Sequence, residues 1–268
     1  MSPAIRHVLK RLAPPVLVDL VRGAKSFTPA CTWEGIYPHL REVPVQHATY
    51  DHGERIREMA SQAGELLAQV RAGRKPALWH DTLATVAATV GAGRRSVRVV
   101  DFGGATGTGF IQLLATLPQA TPVEYHIVDL PGMCAAGREV FAGESRIQFH
   151  AALAEVQGQP DIVYVNSVLQ YIDDYAGQLR ALAALRAPWL LLARTATGNF
   201  PTFATRQLNL PGQVLPYWFI NREEIGTILQ GAGYRLAFEG MADRDYDQSN
   251  FPETHRVGRM RHLLFARD

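Results

Sequence analysis

The run Val99-Val-Asp101-Phe-Gly103-Gly104-Ala105-Thr-Gly107-Thr-Gly109 constrains this chain more than any other stretch of it. An apolar strand that breaks into four glycines within seven residues and then enters a helix is a strand–turn–helix unit. Glycine supplies the positive φ of the turn and lets a ligand reach the backbone where a side chain would block it. Such a unit belongs to an α/β fold and marks where an adenosine or a phosphate approaches.

The surrounding pattern extends that unit into a sheet. Apolar runs at Ser96–Phe102, Tyr125–Asp129, Arg146–Phe149, Asp161–Ser167, Trp189–Ala193, Tyr234–Glu239 and His262–Ala266 read as seven strands. Helical spacing predicts Gly109–Leu117, Cys134–Phe141, Tyr175–Leu185 and Arg222–Gly231 between them. Alternation of this kind gives an α/β fold with a doubly wound, mostly parallel, Rossmann-like seven-stranded sheet. The last two strands lie close together without a helix between them, which allows an antiparallel pair. Before the first strand, Asp51–Val70 and Ala77–Val90 are helical, and residues 31–50 show neither helical nor strand periodicity. The chain therefore divides at 92/93: residues 1–92 form a basic arm and helical cap, and 93–268 bind the ligand.

Two acids sharpen the ligand. Asp101 precedes the glycines at the strand's carboxyl end, where it would repel a pyrophosphate and suit the ammonium of a methionine moiety. Asp129 tips the next strand, roughly 20 residues further on, where ribose hydroxyls are bound; capping of the following helix is its bland alternative.

Residues 97–195 resemble the class I S-adenosylmethionine-dependent methyltransferase core, with Ala105 standing at the middle glycine of the first motif. Asp129-Leu130-Pro131 resembles the Asp-Leu-Pro of plant caffeate-type O-methyltransferases, and Asp161-Ile-Val-Tyr-Val-Asn166-Ser167 resembles the fourth motif. With Thr32-Trp-Glu-Gly-Ile-Tyr37 and Pro216-Tyr-Trp-Phe-Ile-Asn-Arg-Glu-Glu224, the chain is similar over nearly its full length to a bacterial family of methyltransferases tied to surface-polysaccharide or secondary-metabolite loci. The resemblance implies S-adenosyl-L-methionine as cofactor. Asp101, Gly103, Gly104, Ala105 and Gly107 would line its methionine and adenosine side. Asp129 and Leu130 would meet the ribose and adenine edge, Ala152 and Leu153 would flank the adenine, and Asn166 and Ser167 would lie near the methyl group.

The expected reaction is in-line transfer to a hydroxyl of a small molecule or glycan. Positioning supplies much of such a rate, and a base is required only if the hydroxyl must lose its proton. The plant enzymes place a histidine after the fifth strand; here that stretch is Arg194-Thr-Ala-Thr-Gly-Asn-Phe-Pro201, without one. His150, Tyr171 and Arg194 are the catalytic candidates, with Tyr37, His39, Tyr50, His52, Asp173 and Asn199 behind them. The aromatics Trp33, Tyr37 and Tyr217-Trp-Phe219 suit either a pocket for a flat or sugar ring or packing of the cap. Two other readings stand beside transfer. One is a methyltransferase-like protein that binds the cofactor without transfer, or uses it for another reaction. The other is a nicotinamide-dependent oxidoreductase, suggested by Gly104-Ala-Thr-Gly107; it needs a Tyr-x-x-x-Lys pair, and no lysine follows Lys75.

Composition excludes little else. A net charge of +2 calls for no nucleic-acid partner. Cys31 and Cys134 are too few for a metal cluster, and none is expected. No apolar run approaches ~20 residues, and the first fifteen residues are too interrupted by charge for a secretion signal, so a cytoplasmic protein is expected. The basic, greasy stretch 1–26 suits a peripheral membrane contact or packing on the body; a homodimer is allowed.

Overall fold

The computed structural model describes residues 32–45, 53–76, 81–92, 96–118, 121–210 and 213–268. The arm 1–26 with its membrane reading, Cys31, Tyr50, His52 and the start of the helix expected at Ala77 lie outside the described residues.

In chain order the elements are β1 (Trp33–Tyr37), α1 (Gly53–Arg71), α2 (Asp81–Gly91), β2 (Val97–Phe102), α3 (Thr108–Thr116), β3 (Val123–Val128), α4 (Pro131–Val140) and β4 (Ile147–His150). There follow β5 (Ile162–Asn166), α5 (Tyr175–Ala183), β6 (Trp189–Thr195), β7 (Thr197–Gly198), β8 (Phe203–Leu210), β9 (Gln213–Asn221), α6 (Arg222–Gln230), β10 (Tyr234–Asp245) and β11 (Arg259–Arg267).

Seven strands form the expected sheet, ordered β10-β11-β6-β5-β2-β3-β4. The five from β4 to β6 run parallel, and β11 inserts antiparallel between β6 and β10. Alternation along β2 shows why both faces are covered: Val97 and Val99 point to one face, Val100 to the other. On the first face, Ala63 and Leu67 of α1, Leu83 and Ala87 of α2, and Phe110 of α3 share one core with Val97, Val99, Tyr125 and Ile162. On the second face, Leu179 and Leu182 of α5 and Ile225 and Leu229 of α6 pack against Val100, Val163, Val165 and Leu190. The helices read as a cap thus bury their apolar stripes in the core of the sheet.

A second sheet, ordered β1-β8-β9-β7, was not expected. The segment read as irregular contributes β1, and the stretch after β6 contributes the β8–β9 hairpin. Trp33, Phe203, Tyr217 and Phe219 form its own apolar cluster, with Trp33 and Phe219 crossing edge to face at 5.2 Å. These aromatics are buried against one another, which is the packing alternative. Among the described residues, no helix is long and apolar enough to cross a membrane.

Candidate functional site

In the order β3-β2-β5, the chain leaves β2 toward β3 on one side and β5 on the other. At that reversal the loops diverge and leave a crevice beyond the carboxyl ends of the strands. The glycine turn occupies it. Gly103 has φ +74, and a Cβ there would stand 2.3 Å from Val168 Cγ2; its N–H donates to Val128 O at 2.8 Å. A Cβ on Gly104 would meet Asp101 Oδ2 at 2.5 Å. Gly107, φ +93, opens α3. Ala105 holds φ +48, a left-handed position that a side chain resists. Its N–H donates to Asp129 Oδ2 at 2.8 Å, and Leu130 N–H donates to Asp129 Oδ1 at 2.7 Å. Asp129 therefore clasps the glycine turn to the tip of β3. Burial raises its pKa against the lowering by these two amides. A carboxylate has about four acceptor positions, so two remain for ligand hydroxyls.

Asp101 lies beneath the turn, 1% exposed, and accepts a hydrogen bond from the Tyr125 hydroxyl at 2.7 Å. Burial pushes its pKa up to about 7; the tyrosine pulls it down, and the negative charge of Asp129 adds to the rise. A buried carboxyl held at the edge of ionisation beneath bare backbone is a seat for a cation. Tyr125 escaped the sequence reading, although β2–β3 pairing puts it on the same face as Asp101. Thr106 was missed too: it is buried, and its hydroxyl donates to Met59 O at 3.1 Å, tying the turn to α1.

On the other side of β2, Asn166 ends β5 and accepts from Arg194 Nε at 2.9 Å. Ser167 holds φ +58 and accepts from Gln170 Nε2 at 2.9 Å. Arg194 holds φ +46 at a register shift: β11 pairs Arg261 with Thr195 but Leu263 with Leu192. Two residues of β6 thus oppose one of β11, a bulge that re-aims a side chain. Of four non-glycine residues with positive φ among the described residues, Ala105, Ser167 and Arg194 ring this crevice. Strain concentrated in that way is a property of functional sites. Tyr171 follows in the next turn, its hydroxyl donating to Gln207 Oε1 at 2.8 Å and its ring edge-on to Tyr217.

The candidates divide by position. Asp101, Gly103, Gly104, Ala105, Gly107, Asp129 and Leu130 converge, with Ala152 and Leu153 just beyond β4 and the Leu130 side chain 44% exposed. Asn166, Ser167, Tyr171 and Arg194 gather at β5 and β6. His150 does not join them. It ends β4, three strands from Asn166, or ~14 Å at the usual spacing. Its Nε2 is 3.0 Å from His126 Nδ1, and His126 Nε2 is 2.9 Å from Glu124, which pairs with Arg98. Burial, then the neighbouring His126, lower the pKa of His150. Tyr37 is half-buried in β1, His39 is exposed, Asp173 pairs with Arg41 at 2.6 Å, and Asn199 accepts from Arg222.

A cavity of about 830 Å³ opens beside Arg194, between α2 and the face of β6, β11 and β10. Val86, Trp189, Phe238, Met241 and His262 are among its walls. Nothing in the strand periodicity of β10 and β11 signals it.

A family model described as a methyltransferase domain matches residues 50–237. Solved structures similar to the chain include magnesium protoporphyrin IX methyltransferase from Synechocystis PCC 6803 with bound SAM. It is 18% identical, with 82% of this chain and 86% of that one covered and a TM-score of 0.47. Another is an amino pentose methyltransferase from Micromonospora echinaspora, also with SAM, at 19% identity, 83% and 99% coverage and a TM-score of 0.47. A third is an O-methyltransferase family protein from Burkholderia thailandensis, at 22% identity, 82% and 61% coverage and a TM-score of 0.48. No curated protein matches the chain.

Proposed function

The chain belongs to the methyltransferase-domain family of S-adenosylmethionine-dependent enzymes, and from that premise we propose that it methylates a hydroxyl of a small molecule or glycan. The observation that carries the reading is the buried Asp101 carboxyl beneath a turn cleared of side chains. The residues present fit the cofactor: an acid for its ammonium, a bare backbone cradle for its body, and a second acid with spare acceptor positions for its ribose.

In this reading Asp101 holds the ammonium, and Gly103, Gly104, Ala105 and Gly107 give the close backbone approach. Asp129 accepts from the ribose hydroxyls, while Leu130, Ala152 and Leu153 enclose the adenine. Asn166 and Ser167 stand at the methyl end. S-adenosylmethionine, when bound, supplies a methyl group already activated on a sulfonium. What the chain must then do is hold an acceptor oxygen in line and keep water out. Arg194, fixed by Asn166, orients the acceptor, and Tyr171 closes that end. We assign His150 to the adenosine end, where its chain to His126 and Glu124 braces the tip of β3. The proposal takes residues 93–268 as the cofactor-binding domain in a cytoplasmic setting, with α1 and α2 of residues 1–92 packed into its core.

Calorimetric titration tests it. S-adenosylmethionine and S-adenosylhomocysteine should bind and NADPH should not, and Asp129→Ala should weaken binding at least tenfold, about 1.4 kcal/mol or more. Binding of NADPH alone would overturn the reading; unchanged affinity in Asp129→Ala would displace the ribose from β3.

A further inference from the structure

The cavity beside Arg194 contains a histidine that the sequence does not place near the crevice. Because β11 pairs Arg261 with Thr195 and Leu263 with Leu192, His262 stands opposite the bulge at Ala193 and Arg194. Asn166 pairs with Ala193 on the other side of β6. His262 is therefore level with the methyl end of the crevice and two strands from it, ~10 Å between backbones. Arg194, which lines the cavity with His262 and donates to Asn166, spans the two. Gly240, the partner of His262 across β10, adds no side chain over it, and Thr82 Oγ1 of α2 stands 3.4 Å from Nδ1.

The remaining walls define what would enter. Phe238 and Met241 are 52% and 60% exposed at the rim, and Trp189 and Val86 line the interior. Exposed apolar side chains around a concave space of this size mark a small-molecule site. Arg194 belongs both to this wall and, through Asn166, to the crevice. Arg194 thus links the cavity wall to the methyl end of the crevice.

We propose that this cavity is the acceptor site, that it takes a hydroxylated, flat, largely apolar ring, and that His262 removes the hydroxyl proton. The inference rests on the methyl-transfer reading above. A ring nitrogen of His262 takes the proton as the acceptor oxygen forms its bond to the methyl carbon. The carbon–sulfur electron pair stays on sulfur, leaving a neutral thioether, a methyl ether and a protonated imidazole that releases its proton to water. The charged and titratable groups that share the cavity wall with His262 are Asp81 from α2, Arg194 from β6 and Tyr246 beyond β10. A histidine on β11 replaces, from another strand, the one missing after β6.

The test uses 4-nitrophenol, whose phenolate is yellow and whose neutral form is not, added to protein loaded with S-adenosylhomocysteine. Loading is measured first, so a protein that fails to bind the nucleoside refutes the methyltransferase reading and not this one. Below neutral pH, bound 4-nitrophenol should ionise saturably. His262→Gln should abolish the yellow phenolate yet leave nucleoside affinity unchanged, and Phe238→Asp should weaken 4-nitrophenol binding about tenfold. The histidine ring signals in NMR should shift on addition in the native protein. Equal ionisation in His262→Gln would overturn the role of that residue. Loaded protein that binds no 4-nitrophenol, or Phe238→Asp that binds it normally, would overturn the cavity as acceptor site.

Discussion

Ala105 is the residue at which this chain departs from the pattern it resembles, and it carries the departure as strain. Its φ of +48 is the conformation a glycine would adopt freely. The Asp129 carboxylate holds it there by accepting its N–H at 2.8 Å. Left-handed backbone costs a non-glycine residue about 1 kcal/mol. Ala105→Gly should therefore stabilise the protein by about 0.5 kcal/mol, the relief of strain exceeding the extra freedom glycine brings to the unfolded chain. Denaturant unfolding measures it; a loss of 1 kcal/mol or more would mean that the Ala105 methyl packs against something the strain argument ignores. The glycines and both acids were legible because each has a backbone or charge requirement that residue type exposes. Tyr125, Thr106 and His262 were not, since only strand register and packing bring them to their partners.

Among the elements, the buried strands were the easiest to read. A parallel strand covered on both faces is a continuous apolar run, as in Ile162–Asn166 and Trp189–Thr195. The second sheet was harder because its strands mix burial with polarity. Thr205 is buried with its hydroxyl donating to Glu34 O, and Gln207 is buried accepting from Tyr171. Pro211-Gly212 between the two runs was the available hairpin signal. Pro131 marks the first turn of α4, which starts three residues before the reading placed it. For α2, helical spacing was right, and the structure adds what its faces do. Leu83 and Ala87 are fully buried against the sheet, while Thr82 and Val86 wall the cavity. Leu83→Ala should cost about 2–4 kcal/mol, the range for emptying a leucine site that cannot collapse. A cost under about 1 kcal/mol in thermal or chemical unfolding would show α2 to be a detachable cap, as a boundary at 92/93 implies.

For the whole molecule, the buried Asp101 and the half-buried His150, on opposite faces of the sheet, pull stability in opposite directions with pH. Burial raises Asp101 to about 7, above its value in an unfolded chain near 4. Between those limits the folded state binds more protons, so stability from this group is complete below about 4 and is lost as pH rises through 7. His150 is the reverse case, its pKa lowered by burial and by His126. The unfolded state binds more protons there, so its contribution is present above about 6.5 and is lost as pH falls below that. Stability should therefore fall as pH rises through 7, with the optimum on the acid side of neutrality. Asp101→Asn keeps an acceptor for Tyr125 without a charge to bury. It should raise stability at pH 8 by about 1–2 kcal/mol, move the optimum to higher pH and abolish nucleoside binding. His150→Gln should move the optimum to lower pH and leave nucleoside binding within a few fold. Melting temperatures from pH 4 to 9 for the three proteins decide it. If Asp101→Asn follows the native curve, the carboxyl is not the group that titrates near neutrality. The cost of keeping that charge buried is then not what the fold bears for its cofactor.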